Sequence, residues 1–220
     1  MNFVAFGLIL ICCHVWANEN NNNFLVRGTY QQNTSLKDYL ENKVKPIMQN
    51  GDNTLGIPVL DPFVTDKLFG FLSNVNVTGL SAFEINDADF NLLNLVFNLD
   101  LNWPSIIARA NYFINRNNNT EINGKGGTDV AVKDFKFTIL VNFKVESGKI
   151  QINEIKKMFI GLGAFDFHVT GLYKDDKKNV DLSKMISDTV FKLINTNQVI
   201  AKTVMNIITM IFNKSVAISN

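Results

Sequence analysis

The chain has 220 residues, of which 46% are hydrophobic, and its formal net charge at pH 7 is +1. This length fits one domain with a sizeable core, or two very small domains, and the balanced charge gives no electrostatic footprint for nucleic acid or an anionic membrane. Phenylalanine is abundant, with 18 residues. It indicates either a Phe-rich core or a Phe-lined cavity for an apolar ligand.

Residues 1–17 predict a secretory signal peptide. Residues 4–16 are almost continuously apolar, and the small residue Ala17 follows them in a cleavage pattern. The stretch is too short to span a bilayer, and the alternative is a short uncleaved anchor. Cleavage after Ala17 leaves residues 18–220 as a single secreted domain.

Four Asn-x-Ser/Thr sequences predict glycosylation of an extracellular surface. Because the chain is rich in Asn, part of this set is expected by chance. The predicted sites are Asn33, Asn76, Asn118 and Asn213.

Residues 35–48 predict an amphipathic helix, because apolar residues recur there every three or four positions. Ser35 or Thr34 is a suitable N-cap, and Pro46 is expected to kink or end the helix. Residues 50–53 then predict a turn.

Between residues 69 and 169 the chain predicts mostly β-strands. Every second residue from 93 to 103 is apolar, while Asn and Asp occupy the other face, as in a sheet with one dry and one wet side. Residues 106–114 predict a second strand. The glycines within residues 124–127 predict a turn after it.

The clearest predicted strand covers residues 135–145, where six apolar residues alternate with mostly polar ones. Residues 146–149 predict a hairpin turn into the next strand. Residues 165–169 form one more alternating stretch, in which His168 lies on the polar face and is expected to point to solvent.

The last part of the chain changes to a helical period. From Asp181, a candidate N-cap, apolar residues recur every three or four positions as far as Ile211. This predicts one long amphipathic helix, or two in line that are broken near residues 195–197. The predicted fold class is α+β, with an extended, strongly curved antiparallel sheet wrapped around this helix and an elongated apolar interior.

The sequence after the predicted signal lacks the side chains on which many catalytic and metal sites depend. His168 is its only histidine, and both cysteines, Cys12 and Cys13, lie within the signal. His/Cys metal clusters and Cys-His catalysis are therefore excluded. The sequence also contains no nucleophile-elbow motif and no phosphate-loop motif. The protein is predicted to have no metal, no cofactor and no enzymatic activity, and a hydrolase is the disfavoured alternative.

Two short segments resemble a known family. Gly56-Ile57-Pro58-Val59-Leu60-Asp61-Pro62 resembles the Gly-Ile-Pro-x-Leu-Asp-Pro segment of the insect takeout and juvenile-hormone-binding proteins, and Val77-Thr78-Gly79-Leu80-Ser81 resembles the strand that follows it there. The segment from Phe167 to Leu172 is similar to the group 7 mite allergens. Both groups share a tubular lipid-binding fold, in which a curved sheet wraps a long helix around a tunnel. The takeout group usually keeps a disulfide near the mature N-terminus, which this chain lacks.

The resemblance implies a secreted carrier whose partner is an isoprenoid, a fatty acid or a similar lipid, without stable membrane insertion. An alternative is an extracellular defence or lipid-sensing protein that acts at microbial or lipid surfaces through an exposed apolar tip. The inward-facing strand residues are predicted to line the ligand cavity, unless they pack on the helix and leave no space. They are Leu95, Phe97, Leu99, Leu101, Phe135, Phe137, Ile139, Val141 and Phe143.

Overall fold

The structure is a computed structural model, and it describes residues 35–91, 93–114, 124–146, 149–196 and 198–218. The predicted signal peptide, residues 1–17, lies outside these ranges. So do the predicted glycosylation sites Asn33 and Asn118.

The predicted N-terminal helix is confirmed, together with its cap. It consists of α1 (Leu36–Tyr39), a π-helical turn (Leu40–Val44) and α2 (Lys45–Asn50). Ser35 and Asp38 form a capping box, in which the Ser35 hydroxyl accepts from the Asp38 amide at 3.1 Å. The helix therefore begins at a cap that the sequence identifies.

Pro46 does not end this helix, and a kink there stays a prediction. It lies in the first turn of α2, directly after the π-helical turn, and the helix continues to Asn50. The widened turn comes just before the residue whose missing N–H disturbs regular helical bonding. The buried face of the helix carries Leu40, Val44 and Met48, which are at most 2% exposed.

Seven antiparallel strands form one sheet, in which β4 and β5 are the long central pair. The order is β1-β2-β4-β5-β6, while β3 pairs with β4 and β7 pairs with β5. The strands are β1 (Phe63–Leu68), β2 (Leu72–Thr78), β3 (Glu84–Asn91), β4 (Val96–Phe113), β5 (Lys125–Glu146), β6 (Lys149–Gly161) and β7 (Ala164–Thr170).

The central pair divides the sheet into two halves with different neighbours. Residues 97–103 of β4 lie opposite residues 135–141 of β5, and β3 and β6 flank them. We call this the aromatic half. Residues 106–112 of β4 lie opposite residues 126–132 of β5, flanked by β2 and β7, and we call this the small-residue half.

The two halves meet at a shift in side-chain alternation. Along β4 the more buried positions are odd-numbered up to Trp103 and even-numbered from Ile106. The shift occurs at Pro104 and Ser105, two consecutive residues that are both exposed. In β5, Asp134 has a φ of 49° opposite this point. The two strands predicted for residues 93–103 and 106–114 are therefore one strand, and the shift explains why they read as two.

The predicted turn at the glycines of residues 124–127 is wrong in part, because β5 begins at Lys125. Gly126 instead lies where the backbone of β7 approaches closely. A Cβ atom at this position would lie 1.8 Å from the Thr170 carbonyl oxygen. The hairpin predicted at residues 146–149 is confirmed by the pairing of Glu146 with Lys149.

Two helices of 21 residues each follow the sheet, α3 (Asp176–Thr196) and α4 (Gln198–Ile218). The N-cap predicted at Asp181 is wrong, because α3 begins five residues earlier. Asp175 occupies the capping position, and its carboxylate accepts from the Lys177 amide at 2.9 Å. The first turns of α3 are mostly polar, so the spacing of apolar residues does not reveal where the helix begins. No helix in the described part of the chain is both long and apolar enough to cross a membrane.

Helix α3 binds the outer edge of β7 through its polar side chains. The hydroxyl of Ser183 accepts from the Val169 amide at 3.0 Å, and that of Ser187 accepts from the Phe167 amide at 2.9 Å. These serines occupy the place of a neighbouring strand. The confirmed class is thus α+β with a large antiparallel sheet and C-terminal helices, while one continuous long helix and strong curvature stay predictions.

The two segments that resemble the takeout family meet in one hydrogen-bonded joint. The Asp61 carboxylate accepts from the Gly79 amide at 2.9 Å, and from the amide and hydroxyl of Ser81 at 2.7 and 2.6 Å. Between these two residues, the Leu80 carbonyl accepts from the Trp103 indole at 2.9 Å. The motif residues therefore fix the connector and the end of β2 to the centre of the sheet.

Candidate ligand-binding site

The register of β4 and β5 places most of the predicted lining residues on one face as cross-strand neighbours. All four pairs lie within the aromatic half. They are Phe97 with Val141, Leu99 with Ile139, Leu101 with Phe137, and Trp103 with Phe135.

The predicted lining residues differ in how accessible they are. Leu101 and Phe137 are each 1% exposed, and Leu99, Phe135, Ile139 and Val141 are also buried. Phe97 and Phe143 are half-buried and pack against this cluster. Contact between these side chains and a ligand stays a prediction.

Leu95 is not an inward-facing strand residue. It precedes β4 and has a φ of 52°, which removes it from the alternation that begins at Val96. Its carbonyl oxygen accepts from the Phe143 amide at 2.8 Å. Leu93, at the start of the same apolar run, is 96% exposed.

Large side chains from several elements seal the aromatic half. The Trp103 ring lies 5.6 Å from that of Phe83 and 5.3 Å from that of Phe135. The buried face of the N-terminal helix joins the same cluster, together with Val204 and Ile208 of α4. This half has the dense packing of a structural core.

An aromatic cluster, Phe90, Phe97, Phe143 and Phe212, lies where the aromatic half ends. The Phe90 ring is 6.4 Å from Phe97 and 6.0 Å from Phe143, and the Phe143 ring is 5.3 Å from Phe212. All four side chains are half-buried. Phe90 and Phe212 belong to separate elements, β3 and α4, so local alternation gives no signal for their meeting.

The small-residue half presents a shallower apolar face. Ala108 pairs with Val130 and Ala110 with Thr128, and all four are only half-buried. The adjacent Phe167 of β7 is also half-buried, as are Ile186 and Val190 of α3, and these three pack against the core. Small side chains on an inward face leave room for a ligand. A change from Phe, Leu and Trp to Ala108 and Ala110 along the inward face of β4 is the sequence signal that finds this region.

Tyr112 ends the small-residue half with a neutral polar group. Its hydroxyl donates to the Thr170 carbonyl at 2.7 Å, and burial raises the pKa of Tyr112. The nearby ion pair between Arg109 and Asp129 is largely exposed, at 73% and 55% of the side chains. Its charges are therefore solvated rather than directed into the apolar face.

The remaining predicted sites lie away from this face. His168 is exposed on β7, as predicted. Asn76 is exposed on β2, and Asn213 lies in α4. Within the described ranges, no three His, Cys, Asp or Glu side chains are grouped so that they could hold a metal ion.

Comparison with known proteins supports the family that the sequence motifs resemble. A family model described as haemolymph juvenile hormone binding protein matches residues 8–218. The crystal structure of Takeout 1 from Epiphyas postvittana is similar to this chain at 16% identity, with 81% of this chain and 90% of that chain covered and a TM-score of 0.47. No curated protein matches the sequence.

Proposed function

Because this chain belongs to the haemolymph juvenile hormone binding protein family, we propose that it is a secreted carrier of an apolar small molecule and not an enzyme. One observation supports the proposal most directly. The inward face of β4 and β5 is apolar in both halves, and parts of it remain accessible. The ligand class that fits this face is an isoprenoid, a fatty acid or a similar lipid.

The small-residue half is the proposed main contact region for the ligand. Ala108 and Val130 are half-buried, so part of their apolar surface is accessible, whereas Leu101 and Phe137 are each 1% exposed. Burial of apolar ligand surface contributes about 25 cal/mol per Å². Micromolar binding, about −8 kcal/mol, thus needs some hundreds of Å² after association costs.

The predicted lining of the aromatic half has two roles in this proposal. Phe97 and Phe143 are accessible and are proposed as contacts for a ligand at the aromatic cluster. The buried members form the packed core on the same face of the sheet. They are Leu99, Leu101, Phe135, Phe137, Ile139 and Val141.

A ring added to the small-residue half tests the site. We expect Ala108→Phe to fill the accessible face and to weaken displacement of a fluorescent fatty-acid analogue by about tenfold or more. The matched control is Ile107→Phe, which places a ring on the exposed face of the same strand. Equal affinity in both variants, measured on delipidated protein, would remove the small-residue half from the proposal.

Secretion and ligand identity need the protein from its own cells. N-terminal sequencing is expected to begin at Asn18, after cleavage at Ala17. A chain that begins at Met1 would support the uncleaved anchor instead. Native mass spectrometry of the same material is expected to show a bound lipid, and its mass would identify the ligand class.

A further inference from the structure

Four large apolar side chains are exposed together at the far end of the small-residue half. Phe69 is 66% exposed, Phe71 47%, Phe113 65% and Ile114 48%. The rings of Phe69 and Phe71 stack at 6.3 Å, and the Phe113 amide donates to the Phe71 carbonyl at 2.8 Å. The β1–β2 hairpin and the end of β4 thus present one contiguous patch, which we call the apolar tip.

The backbone of the tip holds an aromatic residue in a conformation that disfavours it. Phe69 has a φ of 53° and Gly70 a φ of 75°. A positive φ strains bulky side chains, whereas Gly and Asn adopt it at lower cost. Phe69 does not offset this strain by burial, since most of its side chain is in water. An exposed aromatic residue at a strained position points to function rather than to folding.

Basic side chains border the tip. Lys67 is exposed on β1, and Lys125 lies opposite Phe113 in the register of β4 and β5. Asp66, beside Lys67, is an exposed acidic neighbour. Apolar rings with lysines at their rim match an acyl-chain region beneath a layer of phosphates.

We propose that the apolar tip docks on a phospholipid surface by inserting Phe69, Phe71 and Phe113 below the headgroups. Lys67 and Lys125 then lie at the level of the phosphates. Docking in this orientation brings the small-residue half next to the membrane, and ligand transfer across that contact rests on the proposed function. The docking itself does not depend on a bound ligand.

Substitution of Phe69 by Asn separates docking from folding. Asn adopts a positive φ at lower cost than a bulky side chain, so Phe69→Asn should keep or raise the melting temperature. We expect its partition onto mixed phosphatidylcholine and phosphatidylserine vesicles to fall by about tenfold relative to the unsubstituted chain. Leu93→Gln is the matched control, because it removes an exposed apolar side chain, 96% exposed, from another turn without creating an Asn-x-Ser/Thr sequence, and it should leave partition unchanged.

A second variant reports where the tip lies. In Phe69→Trp, produced as residues 18–220 so that Trp16 is absent, indole emission should be quenched by brominated acyl chains, beyond the background of the same unsubstituted residues, whose single tryptophan, Trp103, is 0% exposed. Both experiments use delipidated protein without added ligand, so they can fail while the carrier function stands.

Three results would overturn the proposal. The first is the absence of vesicle binding by the unsubstituted chain. The second is equal binding by Phe69→Asn. The third is a dimer without vesicles that Phe69→Asn dissociates, which would assign the tip to a second copy of the chain.

Discussion

The aromatic half and the small-residue half share two strands and one inward face, yet the centre of the first is more deeply buried than the centre of the second. Trp103 and Phe137 are 0% and 1% exposed, while Ala108 and Val130 on the same two strands are half-buried. Alternation decides which residues face inward. The volume of those residues, and of the side chains that cover them, decides whether the face becomes a packed core or an accessible surface.

The covering elements differ in the same way. The N-terminal helix places Leu40, Val44 and Met48 in the cluster of the aromatic half. Helix α3 instead is held at the edge of β7 by Ser183 and Ser187. One half is covered by fully buried apolar side chains, and the other is bordered by a helix that combines these hydroxyl groups with the half-buried side chains of Ile186 and Val190.

Removal of the Phe137 ring should produce the largest effect on stability. Because this side chain is 1% exposed, we expect Phe137→Ala to lower the free energy of unfolding by about 3–5 kcal/mol. Denaturant unfolding of delipidated protein measures it, since a bound lipid would stabilise the native state by mass action. A much smaller loss, with changed affinity for a fatty-acid analogue, would show that the ring borders open space.

Loss of the Asp61 carboxylate should loosen the cover of the aromatic half. Its three hydrogen bonds join the connector to Gly79 and Ser81. We expect Asp61→Ala to cost about 3 kcal/mol in denaturant unfolding, because buried donors lose a charged acceptor. The exposed Asp66→Ala is the control, and an equal effect of both changes would refute the structural role of the joint.

Loss of the Ser183 hydroxyl should affect the other half. Ser183→Ala leaves the buried Val169 amide without its acceptor and should cost about 1–2 kcal/mol. Hydrogen exchange of the Val169 amide should accelerate, while that of Leu101 in the aromatic half should not. Uniform acceleration would mean that the two halves open together.

The smallest expected difference comes from one substitution made in both halves. Val141 is 3% exposed, whereas Val130 is half-buried. We expect Val130→Ala to cost about 1 kcal/mol or less and Val141→Ala clearly more, since only the second leaves a closed void. Equal losses would mean that the small-residue half is packed as tightly as its neighbour.

Local patterns predicted the elements whose signal is contained in their own residues. The alternation of residues 135–145 gave β5, and Ser35 gave the cap of the N-terminal helix. In β4 the inward-facing positions change from odd to even numbers at Pro104 and Ser105. A strict period-two pattern does not continue across such a change, so the sequence predicted two strands there. The start of α3 was misplaced because its first turns, from Asp176, carry mostly polar side chains.

The candidate site was harder to predict because it depends on contacts between distant segments. Alternation located Phe97 and Phe143, but the rings that meet them, Phe90 and Phe212, come from β3 and α4. The small-residue half was not predicted as a site, because its small inward-facing side chains give a weaker hydrophobic signal than the Phe, Leu and Trp residues of the aromatic half. The motif with Asp61 identified the family, yet its residues serve the fold.

The attachment of α3 to β7 also bears on how the molecule behaves in crowded solution. An open sheet edge offers unpaired amides to strands of other molecules, which is a route to fibrils. Here the amides of Phe167 and Val169 are already bonded to serine hydroxyls on a helix, and a helix surface does not template a further strand. Two hydroxyl groups thus protect the protein against strand-by-strand polymerisation along this edge.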